Sequence, residues 1–180
     1  EDSEGDEKTI EPMAFQHYFV RDRCQPTVTG FSFEGMDSAR PSDKFLAALK
    51  SKNLGSILIC PSNPFVSVDP VLKLPGILEA MKKSPAPVIA VSPIVGGQAI
   101  KGPAAKMMAE LGMPASALAV AKHYQGRIDG FVIDEADADL KEEIQGLGIP
   151  TIVTKSVMVT LEDRISLAEA VLEFADELAS

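Results

Sequence analysis

The stretch Ile57-Leu58-Ile59-Cys60-Pro61-Ser62-Asn63-Pro64-Phe65-Val66-Ser67 decides the fold. Its apolar, β-branched opening reads as a buried strand of a parallel sheet, because strands covered on both faces lose the polar–apolar alternation. Pro61 and Pro64 forbid continuation of the strand, and Ser62 and Asn63 bring the short polar groups that line loops. In open α/β sheets ligands bind beyond the carboxyl ends of strands, which makes this loop a candidate site. The arrangement recurs where Val88-Ile89-Ala90-Val91 runs into Ser92-Pro93-Ile94-Val95-Gly96-Gly97. Two such transitions predict one shared ligand crevice.

Outward from these loops the chain alternates. Upstream, Met13, Phe15, Tyr18, Phe19 and Val20 share a face of a predicted helix over 12–23. Residues 28–33 alternate in strand fashion, and Ser42 with Asp43 can cap a helix carrying Phe45, Leu46, Ala48 and Leu49. Downstream, helices are expected over 74–83, 102–111, 115–124 and 137–146, and strands over 128–133 and 150–153. Gly112 and Gly126 stand where helices end in a left-handed residue. Leu161, Ile165, Leu167, Ala168, Val171, Leu172 and Ala175 mark an amphipathic closing helix. Strand–helix alternation means an α/β fold, a mainly parallel Rossmann-like sheet with helices on both faces. Residues 1–12 read as an acidic flexible segment and 13–180 as part of a single domain.

With 46% hydrophobic and 24% charged residues the chain is globular in composition. A net charge of −9 argues against a nucleic-acid or anionic-membrane binder, though not against a phosphate held locally by N–H groups and a few cations. Cys24 and Cys60 are too few for a disulfide framework and read as reduced thiols, Cys60 buried at a strand end. No long apolar run or secretory signal is present, so a soluble cytoplasmic protein is expected.

Gly97-Gln98-Ala99-Ile100-Lys101-Gly102 has the glycine spacing of a phosphate loop, but Pro103-Ala104 follow where that motif needs Lys and Ser or Thr. As a nucleoside-triphosphatase loop it fails. It remains a glycine-rich turn entering a helix with Pro103 at its first position, where free N–H groups attract anions and Lys101 stands beside them. The other reading is a plain tight connection with a solvated lysine. The Asn63 amide both donates and accepts, which suits a nucleobase edge, while Ser62, Ser67 and Ser92 are candidate hydroxyl donors. Asp134-Glu135-Ala136-Asp137-Ala138-Asp139 lacks the glycine and distant glutamate of a calcium loop and reads as a helix start. His17 and His123 are far apart and read as ordinary side chains; Arg21 and Arg23 read as solvated or paired.

Taken together, Phe15 to Arg23 (FQHYFVRDR), Ile57 to Ile77 (ILICPSNPFVSVDPVLKLPGI), Val88 to Gly112 (VIAVSPIVGGQAIKGPAAKMMAELG) and Asp129 to Asp137 (DGFVIDEAD) closely resemble the 2-phospho-L-lactate transferase family, also called CofD, of coenzyme F420 biosynthesis. The resemblance runs from about Met13 onward. It implies transfer of a phospholactyl or phosphoenolpyruvyl-type group from a GDP-linked donor to the deazaflavin Fo, with release of GMP, assistance by magnesium, and a homodimer. By carry-over Pro61, Ser62, Asn63 and Ser67 contact the guanosine nucleotide; Gly96, Gly97, Lys101 and Gly102 line the donor or acceptor site, and Ser92 joins the binding set. Family members open with a strand, a glycine-rich loop and the aspartates that carry the metal, none of which is read in this sequence. The resemblance therefore covers the C-terminal portion of the family's domain, with metal carboxylates expected in an N-terminal part, and these 180 residues alone are expected to be inactive. The alternative is a non-catalytic nucleotide-sugar binder like the gluconeogenesis factors, whose loop looks like GPGSLYTS where this chain has CPSNPFVS.

Overall fold

Val88-Ile89-Ala90-Val91 is buried at every position, as is Gly130-Phe131-Val132-Ile133, and these two runs are the central strands of the sheet. The protein is described by a computed structural model covering residues 11–180, so the acidic lead-in lies outside the described residues apart from Glu11 and Pro12. Strands β1 (Ile57–Ile59), β2 (Val88–Val91), β5 (Gly130–Ile133) and β6 (Thr151–Val153) pair in parallel in the order β1-β2-β5-β6. Ile57 sits opposite Val88, Ile89 opposite Gly130 and Phe131 opposite Thr151. A two-stranded antiparallel hairpin, β3 (Ile94–Val95) and β4 (Gln98–Ala99), lies outside this sheet.

Because successive strand residues face opposite ways, the sheet divides its apolar side chains between two cores. On the broad face Val88, Ala90, Phe131 and Ile133 meet α1 (Asp43–Leu49), α2 (Asp69–Leu72), α3 (Ile77–Lys83), α4 (Ala104–Glu110), α5 (Ala117–Tyr124) and α6 (Lys141–Gln145). On the other face Ile89, Val91 and Val132 meet, among the described residues, only α7 (Leu161–Ala179), through Leu167, Val171, Phe174 and Ala175. Gly130 lets α7 approach: a Cβ there would lie 2.7 Å from both Leu178 Cδ1 and Phe174 Cε1. A capping box starts α7, with Thr160 Oγ1 accepting from Asp163 N–H and Asp163 Oδ2 accepting from Thr160 N–H.

Helices on both faces of a parallel sheet are as expected, with several corrections in detail. β1 is the edge strand of the described sheet and not a buried one: Leu58 is 41% exposed, and Cys60 is exposed rather than buried. Residues 28–33 form no strand; alternation makes a strand only where a partner edge exists, and here Val28 N–H donates instead to Glu110 Oε2 at 3.0 Å. The loop after β2 folds back as the β3–β4 hairpin, because Gly96 (φ 56°) and Gly97 (φ 77°) supply the two left-handed residues that a tight hairpin turn needs. On the closing helix Leu161, Ile165 and Leu172 are exposed, so its buried stripe is narrower than the sequence implied.

Candidate ligand-binding site

At the carboxyl ends of β1, β2 and β6, three loops enclose a cavity of about 150 Å³. Pro61, Ser62 and Asn63 come from the first loop, Ser92 and Lys101 from the second. The structure thus brings together five of the nine predicted site residues. Ser67 is exposed on the helical turn Pro64–Val68, and Gly96, Gly97 and Gly102 shape the second loop without lining the cavity.

Two of the predicted polar contacts are committed within the protein. Asn63 caps the Pro64–Val68 turn: its Oδ1 accepts from Phe65 N–H (3.0 Å) and Val66 N–H (3.4 Å), and its Nδ2 donates to Met107 Sδ (3.3 Å). The amide expected to read a base is therefore holding the loop. Ser92 Oγ donates to Ile94 O (2.8 Å) and accepts from Ile94 N–H (3.2 Å), which turns the chain into the hairpin. Ser62 and Lys101 are the cavity's uncommitted hydroxyl and ammonium groups among the described residues.

The third loop was not singled out in the sequence. Ser156, Val157 and Met158 line the cavity, after the strand Thr151–Val153. The signal was present as one more strand running into polar residues, Thr154-Lys155-Ser156, but without the proline and glycine that marked the others. Asp134 holds this loop: its Oδ2 accepts from Ser156 N–H (2.7 Å) and Ser156 Oγ–H (2.9 Å), and its Oδ1 from Ala136 N–H (3.1 Å). Burial alone would raise the Asp134 carboxyl, but these N–H and O–H donors together outweigh it and hold the group below the usual carboxylate value. Asp137 accepts from Gly96 N–H at 3.0 Å; burial, with Asp134 and Asp139 nearby, leaves its carboxyl above the usual value despite that donor.

A second cavity of about 340 Å³, lined by Tyr18, Phe31, Phe33, Val66 and Met107 among others, lies on the far side of the same turn. Below that turn the buried Asp69 carboxylate meets His123 Nε2 (3.0 Å), Arg127 (3.3 Å) and Lys73 (3.4 Å). His123 therefore fastens α2 to α5 rather than standing free. Arg21 pairs with Asp22 at the surface. No group of His, Cys, Asp and Glu among the described residues is arranged to hold a metal ion, so the residues present do not fit the magnesium that the resemblance implies. No helix among them is long and apolar enough to cross a membrane.

The family model for 2-phospho-L-lactate transferase CofD matches residues 3–175. The chain belongs to the CofD family. Among CofD relatives, the phosphoenolpyruvate transferase of Streptomyces griseus is 34% identical over 178 residues, covering 98% of this chain and 54% of the relative. The 2-phospho-L-lactate transferase of Methanosarcina mazei is 37% identical over 161 residues (89% of this chain, 52% of the relative), and that of Methanocaldococcus jannaschii 33% over 169 (94% and 52%). The chain spans about half the length of the curated CofD relatives it matches.

Proposed function

We propose that this CofD-family chain serves in the transfer of a phosphorylated three-carbon acid, phospholactyl or phosphoenolpyruvyl in type, from a GDP-linked donor to the deazaflavin Fo, releasing GMP in coenzyme F420 biosynthesis. The observation that carries the reading is the meeting of Ser62, Lys101 and the Ser156 loop in one cavity beyond the carboxyl ends of the sheet. At about 150 Å³ that cavity is smaller than the roughly 300–1,000 Å³ usual for a drug-sized ligand. It accommodates a phosphate or the three-carbon acid rather than a whole nucleotide. Lys101 offers a point charge to an anion and Ser62 a hydroxyl donor.

In this arrangement the chain's own residues bind and orient; no step is assigned to magnesium. The aromatic cavity is lined by Met107, to whose Sδ Asn63 of the first loop donates, and suits a flat ring such as the acceptor's.

The test is calorimetric titration of the 180-residue chain with GDP and with UDP, alongside an Fo-dependent GMP-release assay. GDP is expected to bind more tightly than UDP, and Lys101→Ala to weaken GDP about tenfold, the loss of one charged hydrogen bond. No GMP release is expected from these residues alone. Equal or stronger binding of UDP would overturn the guanosine reading and favour the nucleotide-sugar alternative.

A further inference from the structure

We propose that Asp134 and Asp137 are positioning residues that set the spacing between the Lys101 and Ser156 walls of the cavity. From one turn after β5 they grip the hairpin leading to Lys101 and the loop that presents Ser156. The inference rests on the ligand site proposed above for its functional consequence, but not for its geometry.

Neither aspartate lines the cavity, and both are buried. A buried carboxylate is costly unless donors surround it, so its partners report what it is there to hold. Starting a helix uses one oxygen of a capping aspartate, and Asp134 Oδ1 does this through Ala136 N–H. Its second oxygen is spent on both the N–H and the hydroxyl of Ser156, which lies 22 positions further along the chain. Asp137 reaches 41 positions back to Gly96 N–H at the tip of the β3–β4 hairpin.

The glycine turn already closes that hairpin, so the Asp137 bond fixes where the hairpin lies rather than whether it forms. Close packing agrees, since a Cβ on Gly96 would stand 4.0 Å from the Cβ of Ala136 in the same turn. Asp137 N–H donates to Asp134 O at 3.0 Å, which locks the two anchors to one another. Lys101 stands two residues after β4, and Ser156 three residues after β6. One rigid turn therefore references both loops to the end of β5.

The two anchors respond differently to amide substitution, and that difference supplies the test. Asp137→Asn keeps an oxygen for the single N–H of Gly96. Asp134→Asn trades one of two fully used oxygens for an NH2 group that cannot accept. Amide hydrogen exchange of the 180-residue chain and titration with GDP are the measurements.

Asp137→Ala is expected to speed exchange at Gly96 and to weaken GDP binding, each about tenfold, with Ser156 unchanged. Asp137→Asn should stay within about twofold of the parent in both. Asp134→Asn should speed exchange at Ser156. Should it fail to fold, Ser156→Ala removes the hydroxyl bond to Asp134 and should speed amide exchange at position 156 about threefold, a readout independent of the cavity. Unchanged exchange at Gly96 in Asp137→Ala, or equal damage from Asp137→Asn and Asp137→Ala, would overturn the proposal. Exchange requires no ligand. Absence of GDP binding by the parent chain would thus count against the ligand reading while leaving the brace to be judged by exchange.

Discussion

The two faces of the sheet are built on opposite plans. Among the described residues the broad face is covered by six α-helices from different parts of the chain, and its core runs from Tyr18 to Ile149. The narrow face is covered, among the described residues, by α7 alone, held by Leu167, Val171, Phe174 and Ala175. The broad core can lose one contact and keep the rest, whereas the narrow one stands or falls with a single helix. The Ser156 loop leads directly into that helix, so one wall of the candidate site depends on the less redundant face.

The sharpest way to break this comparison is Phe174→Ala, which removes the largest α7 side chain buried against the sheet. It should cost about 4 kcal/mol, in the range for deleting a buried ring. In hydrogen exchange the amides of α7 should lose protection while Val88–Val91 keeps it. Equal loss on both faces would show that they form one cooperative unit.

Next in size is Gly130→Ala. The added methyl meets Phe174 and Leu178 at 2.7 Å, and α7 must move outward. A cost of about 2 kcal/mol is expected from such overpacking, read as a fall in the denaturant midpoint. A neutral result would mean that α7 is loosely seated.

The smallest effect concerns pH. The Asp134 carboxyl is held below its ordinary value when folded, so it contributes stability above its unfolded pKa of about 3.9 and loses it as pH falls through the folded value. The stability gap between the parent and Asp134→Asn should accordingly be full at neutral pH and narrow below about pH 4. A gap that is constant down to the acid limit would mean that charge at Asp134 is irrelevant to tying the Ser156 loop.

Much of this was legible in the sequence because local chemistry and global fold agree. The β-branched runs at Val88 and Gly130 became central strands, and Ser42 caps its helix as short hydroxyl residues do, while Ser116, expected inside a helix over 115–124, is instead the cap of Ala117–Tyr124. What escaped depends on partners distant in sequence. Whether Ile57–Ile59 is central or at an edge is decided by a neighbour on its far side, which no local pattern encodes. Residues 28–33 alternate correctly yet find no strand to pair with among the described residues.

The site followed the same rule. Ser62 and Lys101 line the cavity, whereas the Asn63 side chain caps the Pro64–Val68 turn. A side chain that can read a base can equally satisfy two N–H groups nearby. The acidic run at Asp134 was correctly read as a helix start, but its second task, 22 residues away at Ser156, carries no local signature.

Cys60 has a practical consequence. Its thiol is exposed, it follows the last residue of β1, and it precedes the cavity residue Pro61. A fluorophore attached there, with Cys24 replaced by serine, would sit at the threshold of the first loop and convert ligand arrival into an optical signal without touching Ser62, Lys101 or either aspartate anchor.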